Sequence, residues 1–204
     1  MSRFHGFPEK DPFKDTLSSE RADRLGMWIF VIVVAMVFAA TILGYIVVRL
    51  NPHMVLPWRA ANTSGLPLTL ALSTVVLVSS SATLHACLVR ARRGDSAGCA
   101  RLANITYWLG FAFVLLQGEA WWTMWMRDVK IADDLYAWTF YVLTALHVIH
   151  IVGGLFGLGT VARRASEGAY GPLHHNGIVV CGIYWHALDV IWIALYATLL
   201  IGSR

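Results

Sequence analysis

The sequence predicts an all-α integral membrane protein, a five-transmembrane-helix bundle, and three observations carry that prediction. Hydrophobic residues form 57% of the chain and charged residues only 14%, against roughly 25% charge in soluble domains. Five apolar runs, at about 25–48, 66–89, 102–126, 135–162 and 177–201, each reach the roughly 20 residues that a helix needs to cross a hydrocarbon core. None alternates with period two as a barrel strand does, and backbone in lipid must satisfy its own hydrogen bonds, so helices are the class that remains.

Taken in order, residues 1–24 read as a polar N-terminal arm, in which Ser18 or Ser19 is expected to cap a short lead-in helix at Glu20, and 25–204 as one transmembrane domain. The first span is expected to be retained rather than cleaved as a signal peptide: its apolar core is too long and no A-x-A-like site follows it. The connection Asn51–Gly65, with Pro52, Pro57 and Trp58, suits a segment lying on the membrane surface. In the second span Thr74, Ser79, Ser80, Ser81 and Thr83 are small hydroxyl residues of the kind that let helices pack closely.

The third span ends in Gln117-Gly118-Glu119-Ala120-Trp121-Trp122, where the tryptophans match an interfacial belt. Glu119 reads either as an anchored acid at the membrane surface or as the buried partner of a histidine or a lipid headgroup. The fourth span places His147 and His150 on one helix face, which Gly153, Gly154 and Gly157 continue as a small-residue surface for another helix. In the fifth span His186 and Asp189 are again three apart, with Trp185 and Trp192 one turn either side of the acid, so a histidine or an indole N–H is the expected donor to Asp189.

An ionisable group at lipid depth is costly and needs a partner. Short loops make sequential antiparallel helices neighbours, so the expectation is one polar cluster of His147, His150, His186 and Asp189 between spans four and five. Spacing alone leaves three uses for it open. They are structural hydrogen bonding, haem ligation with His85 or His186 facing His147 or His150 from another helix, and proton or metal handling.

Charge orients the spans. Eleven Lys and Arg lie in the N-terminal segment and the second and fourth loops against five on the other side, which predicts a cytoplasmic N-terminus and an outer C-terminus. This pattern explains topology and headgroup contact and gives no reason to expect nucleic acid. Cys87, Cys99 and Cys181 have neither disulfide-framework nor metal-ligand spacing and read as buried structural thiols. There is no P-loop, nucleophile elbow or H-E-x-x-H, so a catalytic role for the chain itself finds no framework.

Several of these segments together resemble the cytochrome c oxidase subunit III family of the haem-copper oxidases. Tyr184-Trp185-His186-Ala187-Leu188-Asp189-Val190-Ile191-Trp192 is similar to the family's Y-W-H-x-x-D-V-x-W signature. His147 to Gly153 resembles its H-x-x-H stretch, and His174-His175 stand at the family's distance before the last helix. Ser79 to Thr83 with Gly94-Asp95, and Leu115-Leu116-Gln117 with Glu119, resemble further landmarks, so the resemblance spans Gly26 to Gly202. It departs from the family at two usual acids, here Val34 and Val179, and Glu119 sits one residue from its usual offset.

The resemblance implies the short, five-helix form and a non-catalytic accessory subunit in a bacterial inner membrane. On that reading the chain holds no cofactor of its own and binds phospholipid. Haem and copper belong to catalytic subunits I and II of an oxygen-reducing, proton-translocating terminal oxidase fed by cytochrome c or quinol. A membrane b-type cytochrome holding haem on its transmembrane histidines is the leading alternative, and a small transporter, for which broken helices and repeated halves would speak, the next.

Overall fold

The computed structural model describes residues 12–50, 67–129 and 135–202. Five helices follow one another: α1 Pro12–Arg49, α2 Leu68–Arg92, α3 Ser96–Met126, α4 Leu135–Ser166 and α5 Asn176–Gly202. All five are long and apolar enough to cross a membrane, and no strand occurs among the described residues. The expected surface segment Asn51–Gly65 lies outside the described residues.

The helices exceed the apolar runs because hydropathy marks only what lipid covers, whereas helix ends are set by local chemistry. α1 is the largest departure: its 38 residues span about 57 Å and run without a break from Pro12 through the polar segment into the membrane. Ser18 and Ser19 therefore lie inside this helix rather than capping a separate one. Proline suits a first helical position, since its missing N–H would have had no partner there.

α2 and α3 are joined by three residues whose chemistry both stops one helix and starts the next. Gly94 adopts φ +78°, a left-handed conformation that glycine enters without a Cβ penalty, and the Gly94 and Asp95 amides donate to Ala91 and Arg90 carbonyls at 3.0 Å. Asp95 then caps α3, accepting from the Gly98 amide at 2.8 Å and from Arg90 Nη1 at 2.8 Å. The Gly98 N–H and then the Arg90 guanidinium hold its carboxyl below the usual carboxylate range. Because the folded value is depressed, this contribution is present above the usual carboxylate range and is lost as acid protonates Asp95. Asp95→Ala is expected to lower the thermal midpoint at neutral pH and to match the parent in strong acid; an equal deficit at every pH would refute the capping role.

Hydrogen bonds between helices define the topology. From Thr83–Thr106 to Ser73–Gln117 on α2 and α3, one residue number falls as the other rises, so these helices are antiparallel. Asn104–Ser166 and Trp121–Thr144 establish the same for α3 and α4, and His150–Tyr184 and Tyr136–Leu199 for α4 and α5. α1 and α5 instead run parallel: Asp23 pairs with Asn176 and Tyr45 with Thr198, both at a constant offset of 153 residues.

Sequence neighbours are not always spatial neighbours. α5 packs on α1, α2 and α4, while the backbone of α1 comes close to α5 and to a little of α4 but not to α2 among the described residues. Trp185 is the hub of this arrangement. Its buried ring leaves α5, fills the space at Gly110 of α3 and Gly154 of α4, and donates from Nε1 to Ser80 of α2 at 2.9 Å. A Cβ on Gly110 would stand 2.8 Å from Trp185 Cη2, and one on Gly154 3.0 Å from Cζ3, so both helices meet that ring only where a side chain is absent.

Candidate functional site

The intramembrane polar residues fall into three places, and the single cluster expected between spans four and five is not among them. His186 Nδ1 bonds Ser81 Oγ at 2.9 Å, and Ser81 is also the side chain facing Asp189, which is 7% exposed. Both groups of α5 thus turn to α2 rather than to the α4 histidines. Asp189 receives neither indole: Trp185 donates to Ser80, Trp192 to Thr74 at 2.9 Å, and Asp189 Oδ1 has no partner among the described residues.

Two indoles and a row of hydroxyls make this α2–α5 seam. Thr74 and Ser81, like Ser73 and Ser80, are seven residues apart, as are Trp185 and Trp192. Seven residues return a helix to nearly the same face after two turns, so Trp185 and Trp192 both face α2, where the hydroxyls that accept them, Ser80 and Thr74, stand six residues apart. α3 joins it through Gln117, whose Nε2 donates to Ser73 Oγ at 2.9 Å. The hydroxyls also bond their own helix, Ser73 to Leu70 O, Thr74 to Leu70 O and Ser80 to Leu77 O, which aims their lone pairs at the incoming donors.

The α4 histidines have separate surroundings. His147 is fully buried among Phe38, Phe113 and Trp192, with ring centroids 6.0, 5.8 and 5.0 Å away, and neither ring nitrogen meets a partner among the described residues. His150 lies at 5.2 Å from Phe38 and directs Nδ1 to the Leu146 carbonyl of its own helix at 2.7 Å. Three rings closed around His147 leave no slot for a macrocycle between it and His85 or His186. No group of three histidine, cysteine or acidic side chains converges as a metal site among the described residues.

Glu119 also departs from its buried reading. It lies on an exposed face of α3 and accepts from Thr123 one turn on at 3.0 Å, joining no histidine. The glycine stripe of α4 receives aromatic side chains: a Cβ on Gly154 would meet Trp185 and Tyr184, one on Gly153 would lie 3.9 Å from Tyr184 Oη, and one on Gly157 3.7 Å from Cys181 Sγ. Tyr184, the first residue of the last-span signature, donates to the His150 carbonyl at 3.0 Å and closes this interface. Of the two positions where the resemblance leads one to expect acids, Val34 is in the core and Val179 on a cavity wall.

Two cavities open beside these seams. One, of about 530 Å³ between α1, α2 and α5, is apolar apart from His85 and His186. The other, about 850 Å³ between α1, α4 and α5, has a glycine floor at Gly153, Gly154 and Gly157 and a polar end at Glu20, Asp23, Arg164 and Asn176.

A bundle of five apolar helices whose inward hydroxyls, indoles and amide bind helix to helix makes this a multi-span helical membrane protein. The chain belongs to the cytochrome c oxidase subunit III family, whose model matches residues 13–203. It is 32% identical over 126 residues to the probable cytochrome c oxidase subunit 3 of Nocardia farcinica, an alignment covering 62% of each chain. To the cytochrome c oxidase subunit 3 of Thermostichus vulcanus it is 30% identical over 181 residues, 88% of this chain and 87% of that one. The Corynebacterium diphtheriae cytochrome c oxidase subunit 3 is 28% identical over 176 residues, 86% and 85% of the two chains. The five spans and these bacterial relatives place the protein in a bacterial inner membrane.

Proposed function

We propose that this chain is the accessory subunit III of a respiratory haem-copper terminal oxidase, reducing no oxygen itself and stabilising a catalytic subunit I that, with subunit II, carries the haem and copper. The family match over residues 13–203 carries the reading. The site supports it, because the buried polar side chains of α2, α3 and α5 are engaged in fastening helices to one another.

In the orientation that the Lys and Arg asymmetry favours, the N-terminus is cytoplasmic. Phospholipid fits the α1–α4–α5 groove, whose apolar, glycine-floored length and charged end match an acyl chain and a headgroup. The α2–α5 edge suits subunit I: His85 and His186 are both exposed there, and an imidazole left facing hydrocarbon is costly unless a partner covers it.

Asp189→Asn and His186→Ala test the reading. Both are expected to weaken co-purification with subunit I and to shorten the time over which the oxidase sustains turnover, while the initial rate stays close to the parent's. Unchanged assembly and endurance in both variants would defeat it. A haem assay on the chain separated from its complex provides the complementary check, since a Soret band retained there would favour the cytochrome alternative.

A further inference from the structure

Three thiols from three helices gather near one end of the bundle. Cys87 of α2 and Cys99 of α3 are both buried, with their sulfurs 2.8 Å apart, and Cys181 of α5 packs against the same core cluster. All three are free thiols. Cys87 lies five residues before the end of α2 and Cys99 three residues after the start of α3, so the pair is within about 8 Å of the helix ends.

We propose that Cys87 and Cys99 form a reversible, peroxide-oxidisable dithiol that staples α2 to α3. A disulfide needs its sulfurs at about 2.05 Å, so less than an ångström of approach separates the present pair from bonding distance, within reach of small side-chain rotations. The antiparallel α2–α3 pairing already holds the two residues in register, flanked by the Thr83–Thr106 bond at 2.8 Å on one side and the Asp95 cap on the other. Cys181 offers an approach for a small oxidant, since it is the half-buried member of the three and lines the wall of the α1–α4–α5 groove.

The chemistry balances with hydrogen peroxide as the oxidant. One sulfur, as thiolate, attacks a peroxide oxygen; the O–O bond breaks, and the leaving hydroxide takes up the thiol's proton to become water. The resulting sulfenic acid is then attacked by the second sulfur, forming the S–S bond as the S–O bond breaks and a second water leaves. Two thiols and one peroxide give one disulfide and two waters, the sulfurs together losing the two electrons that the peroxide gains.

The test uses membranes carrying the full-length chain. After brief exposure to hydrogen peroxide the protein is denatured and treated with a polyethylene-glycol maleimide, which adds one gel shift per free thiol. The expected product carries one label instead of three, dithiothreitol restores three, and peptide mass spectrometry finds Cys87 linked to Cys99. Cys181→Ala should lose the same two labels, and Cys87→Ser should form no disulfide and leave Cys99 as a thiol or a dimedone-trapped sulfenic acid. Retention of all three labels in the parent protein would overturn the proposal, as would a linkage through Cys181 or between chains. The parent peptide map decides even where a cysteine variant fails to accumulate.

Discussion

Replacing Trp185 by alanine is expected to be among the most damaging single changes to the bundle, lowering its stability by about 3–5 kcal/mol, the range for deleting a large buried aromatic side chain. The ring has no exposed surface and spans four helices, from its own α5 to Gly110 of α3, Gly154 of α4 and Ser80 of α2. In lipid, association of helices depends on close packing rather than on expelling water, so the cavity left by the ring is a direct loss of contact. Trp185→Phe keeps an aromatic ring but loses the outer indole atoms that meet Gly110 and Gly154, together with the 2.9 Å bond to Ser80, a kind of bond that averages about 0.6 kcal/mol within membranes. Gly110→Leu attacks the same contact from the other side, because its side chain would occupy the volume of the indole and of Leu155. Thermal denaturation in mild detergent should rank the phenylalanine variant between the parent and the other two, which fall far below it. A Trp185→Ala protein as stable as the phenylalanine variant would show that the hub does not hold the four helices together.

The second large effect has the opposite sign. His147→Phe is expected to stabilise the isolated chain by about 1–3 kcal/mol, because a buried polar group without a hydrogen-bond partner carries its full desolvation penalty. His147 is 0% exposed, both nitrogens lack partners among the described residues, and its neighbours Phe38, Phe113 and Trp192 would accept a further aromatic ring. The added volume is small, which keeps overpacking from dominating. A gain in thermal midpoint accompanied by loss of assembly or turnover endurance would assign the imidazole a function for which stability is given up. Loss of stability would refute the unpartnered state.

How far the site was legible in the sequence differs residue by residue. The sequence places His186, Asp189, Trp185 and Trp192 on one polar face of the last span, and they share it, but it points to the preceding helix for their partners. They stand on α2, which is distant in sequence and carries a row of hydroxyls. That row is visible in the sequence, but only a known helix order turns it into a contact. Gln117 illustrates the same point, since its Ser73 partner lies 44 residues away. Glu119 takes the surface one of its two expected readings, while His147 is inside as expected but among rings rather than in a polar cluster.

The amino-acid sequence by itself determined that the chain crosses the membrane five times as helices, because hydropathy and the hydrogen-bonding demands of backbone in lipid act within each segment. It also contained the devices that end those helices, such as Gly94 and Asp95, which act over three or four residues. Only the tertiary structure decided that α5 lies between α1 and α2, that His147 is enclosed by three rings, and that Cys87 meets Cys99. Many helix orders bury similar apolar surface, and the choice among them rests on which side chains interlock across segments far apart in the chain.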